Sequence, residues 1–277
     1  MIATLQDRVA EVDANWLTAH LDDPDLRLVE VDVSQTRYGE GHIPGACLWN
    51  AYTDLHHSDY SAIGRMEFGQ LLSRSGISAR STVVFYGYAP YLGYWFLRSH
   101  GHHRVHVLRQ TRDGWVGSGH PWTREVPEMI KSSYAPPLRP PSAVASLGSM
   151  RAAVGDPGQL IIDVRSQAEY DGVRFWPSGA TEGAGRAGHI PGAVHVPIEL
   201  LRAGDGSFKR VPELNQILRA RGVTPAKSAI TYCTIGARAT EAWFVLTHLL
   251  DYPGAGVYAG SWAEWGTRTD TPIEIWR

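Results

Sequence analysis

Short apolar runs alternate with stretches of helical periodicity along the whole chain. The runs that predict buried strands are 26–33, 82–86, 104–108, 160–165, 229–232 and 256–258. Between them, apolar residues recur at helical spacing in 15–21, 91–100 and 243–250, and Asp13 is a candidate N-cap for the first of these helices. Strands that alternate with helices indicate an α/β fold with largely parallel sheets flanked by helices.

The order of elements occurs twice. A His-Ile-Pro-Gly-Ala turn stands at 42–46 and again at 189–193, which is 147 residues later. Tyr86 and Tyr232, which each close a predicted strand, are separated by 146 residues. The agreement of the two separations predicts two tandem copies of one domain.

The second copy is longer than the first. If Asp32 and Asp163 are taken as equivalent strand-end acids, their separation is shorter by sixteen than the separation of the two turns. An insertion of that length is therefore expected, and it falls within 173–186. Prolines 136, 137, 140 and 141 predict a stiff, extended linker. The predicted division is an N-terminal domain at 1–128, a linker at 129–146 and a C-terminal domain at 147–277.

Composition narrows the classes of function. The 277 residues are 43% hydrophobic and 19% charged, which is enough to build proper cores, and the length suggests about two domains. The net charge is −2 and the sequence has no block of like charges, so it offers no cluster of basic residues to bind nucleic acid or an anionic membrane. No apolar run approaches the roughly 18 residues of a membrane-spanning helix.

Cysteine usage points to a reducing compartment. Only Cys47 and Cys233 are present, and no histidine stands at a metal-ligand spacing from either. The first residues, 1–7, lack the basic and apolar regions of a secretory signal. We expect a cytoplasmic protein with no metal and no organic cofactor.

Cys233 stands where a predicted strand ends and a helix follows. A tight loop at that position can turn backbone N–H groups inward, and a helix N-terminus adds partial positive charge, so both favour a thiolate over a thiol. Gly236 permits the turn and Arg238 adds a full charge. In the first copy the aligned residue is Gly87, so only the second copy is expected to carry a nucleophile.

These features together resemble the two-domain rhodaneses, the thiosulfate and 3-mercaptopyruvate sulfurtransferases. The resemblance rests on the twin turns and on three further segments: 163–165, 233–238 and 258–262. It implies a rhodanese-like fold in each half, an inactive first copy, and a catalytic Cys233 that carries a persulfide. It also implies a small-molecule sulfur donor and acceptor, with no nucleic-acid or membrane partner.

The resemblance assigns roles to further residues. The active-site loop consists of Thr234, Ile235, Gly236, Ala237 and Arg238 after Cys233. Arg165, Arg186 and Trp262 are the candidate substrate-binding residues. For Arg165 a buried ion pair with Asp163 is the competing and favoured interpretation. For Arg186 a solvated loop arginine is the alternative, and for Trp262 it is a core position.

The loop reads Cys-x-Ile-Gly-x-Arg, which is similar to bacterial thiosulfate sulfurtransferases. Thr234 and Ile235 are neutral where vertebrate-type enzymes have basic residues, and Glu169 stands where family members often have a second arginine. The predicted function is transfer of the sulfane sulfur of thiosulfate to cyanide or a thiol. The alternatives are a 3-mercaptopyruvate sulfurtransferase, a non-catalytic tandem interaction module, or a phosphatase of the same fold. The phosphatase class has Cys-x5-Arg rather than the Cys-x4-Arg found here.

Overall fold

The computed structural model describes residues 10–134, 136–137 and 143–275. The chain divides into two compact units, which are Met1–His57 with Ile63–Ser142, and Ser58–Ala62 with Ala143–Arg277. Each unit is built on a wholly parallel sheet. Residues 1–7, on which the signal-peptide argument rests, and prolines 140 and 141 of the predicted linker lie outside the described residues.

The first unit has a five-stranded sheet. Its strands are β1 (Glu11–Val12), β2 (Leu26–Asp32), β3 (Ala46–Asn50), β4 (Thr82–Gly87) and β5 (Val105–Leu108), in the order β1-β5-β4-β2-β3. Its helices are α1 (Ala14–His20), α2 (Gln35–Glu40), α3 (Arg65–Arg74), α4 (Pro90–Ser99) and α5 (Arg112–Gly117). Asp13 caps α1 by accepting a hydrogen bond from the backbone N–H of Trp16 at 2.8 Å, as the sequence predicts.

The second unit has a four-stranded sheet. Its strands are β6 (Gln159–Asp163), β7 (Val194–His195), β8 (Ser228–Tyr232) and β9 (Ala255–Val257), in the order β7-β6-β8-β9. Its helices are α6 (Leu147–Ala153), α7 (Gln167–Tyr170), α8 (Val211–Arg219), α9 (Ala237–Phe244) and α10 (Ser261–Thr267), with a 3₁₀ turn at Ile198–Leu201. Val144 bridges in parallel to Val257, as β1 does to β5, so the two sheets share one strand order.

One hydrogen bond joins equivalent atoms in the two copies. The phenol oxygen of Tyr86 accepts from the backbone N–H of Ile43 at 3.1 Å, and that of Tyr232 accepts from Ile190 at the same distance. Each bond fixes a His-Ile-Pro-Gly-Ala turn against the strand that neighbours it. The two copies therefore place their strand ends and turns in the same way, and Gly87 is the structural counterpart of Cys233.

The strand register corrects one part of the predicted alignment. Glu30 pairs with Tyr86 between β2 and β4, whereas Asp163 pairs with Tyr232 between β6 and β8. Glu30, not Asp32, is therefore the counterpart of Asp163. Because Glu30 lies two positions before Asp32, the inferred length of the insertion ahead of the second turn falls from sixteen residues to fourteen. Both acids end a run of apolar residues, so the pattern alone did not distinguish them.

Candidate functional site

Cys233 directly follows β8, which lies between β6 and β9 in the second sheet. The chain then turns through Gly236, which has φ +90° and serves as the N-cap of α9. The left-handed conformation at this cap is one that glycine adopts without strain. Helix α9 begins at Ala237, six residues before the predicted start at 243. Its first turns hold small and polar residues, so no large apolar side chain signals the helix before Trp243.

The remainder of the predicted helix also differs from expectation. Val245–Leu249 forms a π-helical turn at the end of α9, and Leu250 closes it with a hydrogen bond to the carbonyl of Val245 at 3.1 Å. Such turns insert an extra residue into an α-helix. Apolar spacing does not separate the two helical forms over so short a segment.

The sulfur of Cys233 accepts a backbone hydrogen bond. The N–H of Gly236 lies 3.1 Å from Sγ, and the cysteine residue is only 1% exposed. Ile235 and Ala237, which complete the loop, are also buried. A donor N–H and the start of α9 both direct partial positive charge at the sulfur. This arrangement stabilises negative charge on Sγ.

Helix α10 holds the cysteine loop through backbone contacts. The N–H of Trp262 donates to the carbonyl of Cys233, and the N–H of Ala263 donates to the carbonyl of Thr234, each at 2.9 Å. These N–H groups at the start of a helix have no partners within the helix itself. The loop carbonyls satisfy them, which ties the position of the cysteine to α10.

Ser261 is a site residue that sequence reasoning missed. Its Oγ accepts from the N–H of Cys233 at 3.1 Å and donates to the carbonyl of Tyr258 at 2.8 Å. Ser261 is fully buried and has φ +53°, an uncommon conformation for a residue other than glycine. The segment 258–262 was already part of the family resemblance, but nothing in its letters signals a serine held to the cysteine backbone.

Arg238 braces the loop through Glu169. Its Nη1 and Nη2 donate to the two carboxylate oxygens of Glu169 at 2.9 and 2.8 Å. Nη2 also donates to Oγ1 of Thr234, which in turn donates to Glu169 at 2.6 Å. Glu169 is fully buried. Burial by itself would raise the pKa of Glu169, but the hydrogen bonds and charge of Arg238 outweigh it and lower the pKa to about 2. The acid that replaces the family arginine is thus neutralised by Arg238.

Arg165 forms a fully buried ion pair with Asp163. Its Nη2 lies 2.6 Å from the Asp163 carboxylate and also donates to the carbonyl of Gly188 at 2.7 Å. The ring of Trp262 lies 4.5 Å from the guanidinium carbon, which is a cation–π distance. Arg165 and Trp262 both have no solvent exposure. Nη1 of Arg165 makes no hydrogen bond with the described residues.

Arg186 binds the segment that follows α10. Its Nη1 donates to the carbonyl of Thr271 at 2.9 Å, and its Nη2 donates to the Thr271 hydroxyl at 2.7 Å and to the carbonyl of Arg268. The backbone N–H of Arg186 donates to the carbonyl of Gly266 at 2.8 Å. The side chain therefore fastens the end of the insertion to the C-terminal segment.

The first copy has no room for a side chain at the equivalent position. Gly87 has φ +105°, and a Cβ built on it would lie 2.9 Å from the carbonyl oxygen of Val31 and from Cγ of Glu30. The backbone, rather than a flexible side chain, sets the first of these contacts. Gly87 is therefore required by packing, and a cysteine does not fit at this position of the first copy without a shift of the backbone.

Two further features, a metal-binding cluster and a membrane-spanning helix, are not found in the part of the chain that the structure describes. Over residues 10–134, 136–137 and 143–275, no group of three or more His, Cys, Asp or Glu side chains is arranged to hold a metal ion. No helix among these residues has the length and apolar character needed to cross a membrane.

Solved structures share this architecture. The anaerobic ergothioneine biosynthesis enzyme from Chlorobium limicola, solved in complex with its natural substrate trimethyl histidine, superposes with a TM-score of 0.81 at 24% identity. The match covers 99% of this chain and 72% of that one. At this level of identity the similarity shows the fold alone.

Curated relatives are closer in sequence. A protein of Haloferax volcanii named "Putative thiosulfate sulfurtransferase" is 38% identical over 274 residues, which is 95% of each chain. The sulfur carrier protein TtuD of Thermus thermophilus is also 38% identical over 274 residues, with the same coverage. The family description "Rhodanese-like domain" matches residues 13–118 and again 146–268. On this evidence the chain belongs to the rhodanese family and carries two copies of its domain.

Proposed function

We propose that this chain is a sulfurtransferase in which Cys233 carries the transferred sulfur as a persulfide. The observation that supports this most directly is the environment of the sulfur: Sγ accepts a hydrogen bond from the N–H of Gly236 at 3.1 Å, at the start of a helix. The same N–H donor, together with the start of the helix, stabilises the negative charge of a persulfide anion. The relatives named as a thiosulfate sulfurtransferase and as a sulfur carrier support the same chemistry.

The reaction proceeds in two half-reactions. The Cys233 thiolate attacks the outer sulfur of thiosulfate, a new S–S bond forms, and sulfite leaves with the electron pair of the old one. Cyanide then attacks the terminal sulfur of the persulfide and leaves as thiocyanate, which returns the thiolate. A thiol acceptor in the same step leaves as its own persulfide. Ping-pong kinetics follow from this scheme.

The remaining predicted site residues serve mainly to hold the loop. Thr234 and Arg238 fix it through Glu169, and Ile235, Gly236 and Ala237 form its buried turn. Arg165 and Trp262 support the strand end next to it from fully buried positions. Arg186 fixes the insertion. We propose that these residues shape the loop, and that thiosulfate is a better donor than 3-mercaptopyruvate.

Intact-protein mass after mixing with thiosulfate tests the proposal. We expect the wild-type chain to gain one sulfur atom, to lose it on addition of cyanide, and to gain none as the Cys233→Ser variant. Cys47→Ser is the matched control, because burial raises the pKa of Cys47 to about 11 and leaves its thiol protonated at neutral pH. Steady-state rates with thiosulfate and 3-mercaptopyruvate, measured side by side, test the donor preference.

A wild-type chain that gains no sulfur from thiosulfate, 3-mercaptopyruvate or a polysulfide would overturn the proposal in favour of a binding module. A phosphatase is disfavoured by the geometry of Arg238, because both ends of its guanidinium fork are bound to Glu169. An arginine that cradles a phosphate needs that fork for the ligand.

A further inference from the structure

The arginines close to the cysteine loop differ in what they already bind. Arg165 is paired with Asp163, Arg238 is paired with Glu169, and Arg186 is bound to backbone carbonyls. The first two are neutralised by a carboxylate. Arg165 is, in addition, fully buried. Arg186 has no carboxylate partner, but three hydrogen bonds hold its two terminal nitrogens to Thr271 and Arg268. We therefore look for a different cation to bind an anionic donor.

The side chain of Arg174 makes fewer hydrogen bonds to the described residues than the side chains of Arg165, Arg186 and Arg238, although Arg165 and Arg186 each also have one buried nitrogen without a partner there. The one hydrogen bond of the Arg174 side chain to the described residues runs from Nη2 to the hydroxyl of Ser166 at 3.2 Å, and the side chain forms no ion pair with a carboxylate among those residues. Its Nε is buried and has no hydrogen-bond partner in the part of the chain that the structure describes. The side chain is half-buried, so burial reduces the screening of its charge by water.

A chain of three hydrogen bonds connects Arg174 to the loop. The hydroxyl of Ser166, which accepts from Arg174, donates to Glu169 at 2.7 Å, and Glu169 accepts from Thr234 at 2.6 Å. Thr234 is the residue next to Cys233. The charges of Glu169 and Arg238 cancel within this network, so Arg174 gives it a net charge of one positive unit.

We propose that Arg174 binds the anionic end of the sulfur donor. The inference rests on the proposed function and specifies its substrate class: sulfane sulfur carried on a small anionic group, such as the sulfonate of thiosulfate. The guanidinium holds that group while the outer sulfur meets Sγ of Cys233. Arg174 thereby supplies the positive charge that the neutral Thr234 and Ile235 do not.

The position of Arg174 in the chain agrees with this role. It lies in the segment that separates Tyr170 from His189, and this segment is much longer than the one between their counterparts, Tyr38 and His42. These counterparts are identified by the same stacking of tyrosine on histidine in each copy, at 3.8 and 4.0 Å. The inactive copy thus lacks the segment that carries the cation.

The donor half-reaction of the full chain tests the inference. For Arg174→Gln we expect kcat/KM for thiosulfate to fall roughly 10- to 100-fold, the range for loss of one charge-assisted hydrogen-bonded contact. The rate with an uncharged sulfane donor, diallyl trisulfide, should stay within about twofold. Arg174→Lys should recover part of the loss. The wild-type rate with thiosulfate should fall as ionic strength rises, and this slope should be flatter in Arg174→Gln.

Arg210→Gln is the matched control, because its side chain is 86% exposed in the same unit. An unchanged kcat/KM for thiosulfate in Arg174→Gln would overturn the inference and leave the proposed function intact. Equal losses with thiosulfate and diallyl trisulfide would overturn it as well, since they would show a structural role. A wild-type chain that acquires no sulfur from either donor would overturn the proposed function.

Discussion

At the scale of single residues, the site depends on charges that cancel beside the cysteine. Glu169 and Arg238 are separated by 69 positions in the sequence, yet they form two hydrogen bonds with each other, and each also forms one with the hydroxyl of Thr234. Removing one partner of such a buried ion pair destabilises the fold by more than the pair contributes to stability, because the remaining charge stays buried without a partner. The loop around Cys233 should therefore be sensitive to either partner.

Glu169→Gln should destabilise the chain by about 3 kcal/mol at pH 7, the value of a pKa lowered from 4.5 to about 2. A carboxylate with a depressed pKa stabilises the fold fully above pH 4.5 and loses that contribution as the pH falls towards 2. The difference between wild type and variant should therefore shrink over this window. Urea unfolding at pH 7 and pH 3 measures it.

Arg238→Gln and the double variant complete a thermodynamic cycle with Glu169→Gln. We expect the double variant to lose less stability than the sum of the two single variants, because it leaves no unpaired charge. Additive losses would show that Glu169 and Arg238 act independently, contrary to the geometry.

The first copy provides a prediction at Gly87. Gly87→Cys should not create a second sulfur carrier, and it should destabilise the chain by about 1–3 kcal/mol, because the new Cβ meets the carbonyl of Val31 at a positive φ. Thermal unfolding and the stoichiometry of sulfur uptake measure the two effects. Uptake of two sulfur atoms per chain would contradict the steric argument.

At the scale of elements, the cysteine loop lies between the end of β8 and the starts of α9 and α10. Ser261 joins the loop to α10 at the cost of a positive φ. A strained residue that is hydrogen-bonded to the backbone of the proposed nucleophile, Cys233, is typical of a functional site. Its hydroxyl and its conformation can be tested separately.

Ser261→Ala and Ser261→Gly both remove the hydroxyl, but only glycine relieves the strain at φ +53°. We expect both variants to lose sulfur-transfer rate by a similar factor of roughly ten, because each leaves the N–H of Cys233 without a partner. Ser261→Ala should be less stable than Ser261→Gly by about 1 kcal/mol. Steady-state rates and urea unfolding compare them; full activity in either variant would remove Ser261 from the site.

Much of the fold could be predicted from the sequence. The repeat, the parallel α/β fold and the family follow from two identical turns in register with apolar strands. The short elements α2, β3, α7 and β7 were not predicted. Helices α2 and α7 and strand β7 hold too few apolar residues to form a run, and β3 begins at the last residue of the first His-Ile-Pro-Gly-Ala turn. The contact of Ser261 with Cys233 spans 28 positions and depends on a hydroxyl orientation that only the folded backbone sets.

At the scale of the whole molecule, the two compact units do not coincide with two continuous stretches of chain. Ser58–Ala62 belongs with the second unit, although the first half of the sequence encodes it. There the ring of Tyr60 lies 5.7 Å from the ring of Trp176, and Trp176 donates to the carbonyl of Glu182 within the insertion. The insertion thus packs on a piece of the other half.

Tyr60→Ala should destabilise this part of the second unit by about 1 kcal/mol, since it removes one aromatic pair. Limited proteolysis should then cut the exposed part of the insertion, near residues 177–185, faster than in wild type. Tyr60→Phe keeps the ring and should behave as wild type. Equal cleavage of all three chains would show that Tyr60 does not hold the insertion.

This arrangement limits how the protein can be recombined. A chimaera that joins halves of two relatives at the proline-rich stretch would supply the C-terminal half with a foreign version of residues 58–62. Those five residues and the insertion that they contact would have to come from the same parent, although they lie on opposite sides of the junction. Laboratory shuffling that respects this pairing should recover active hybrids far more often than a single crossover does.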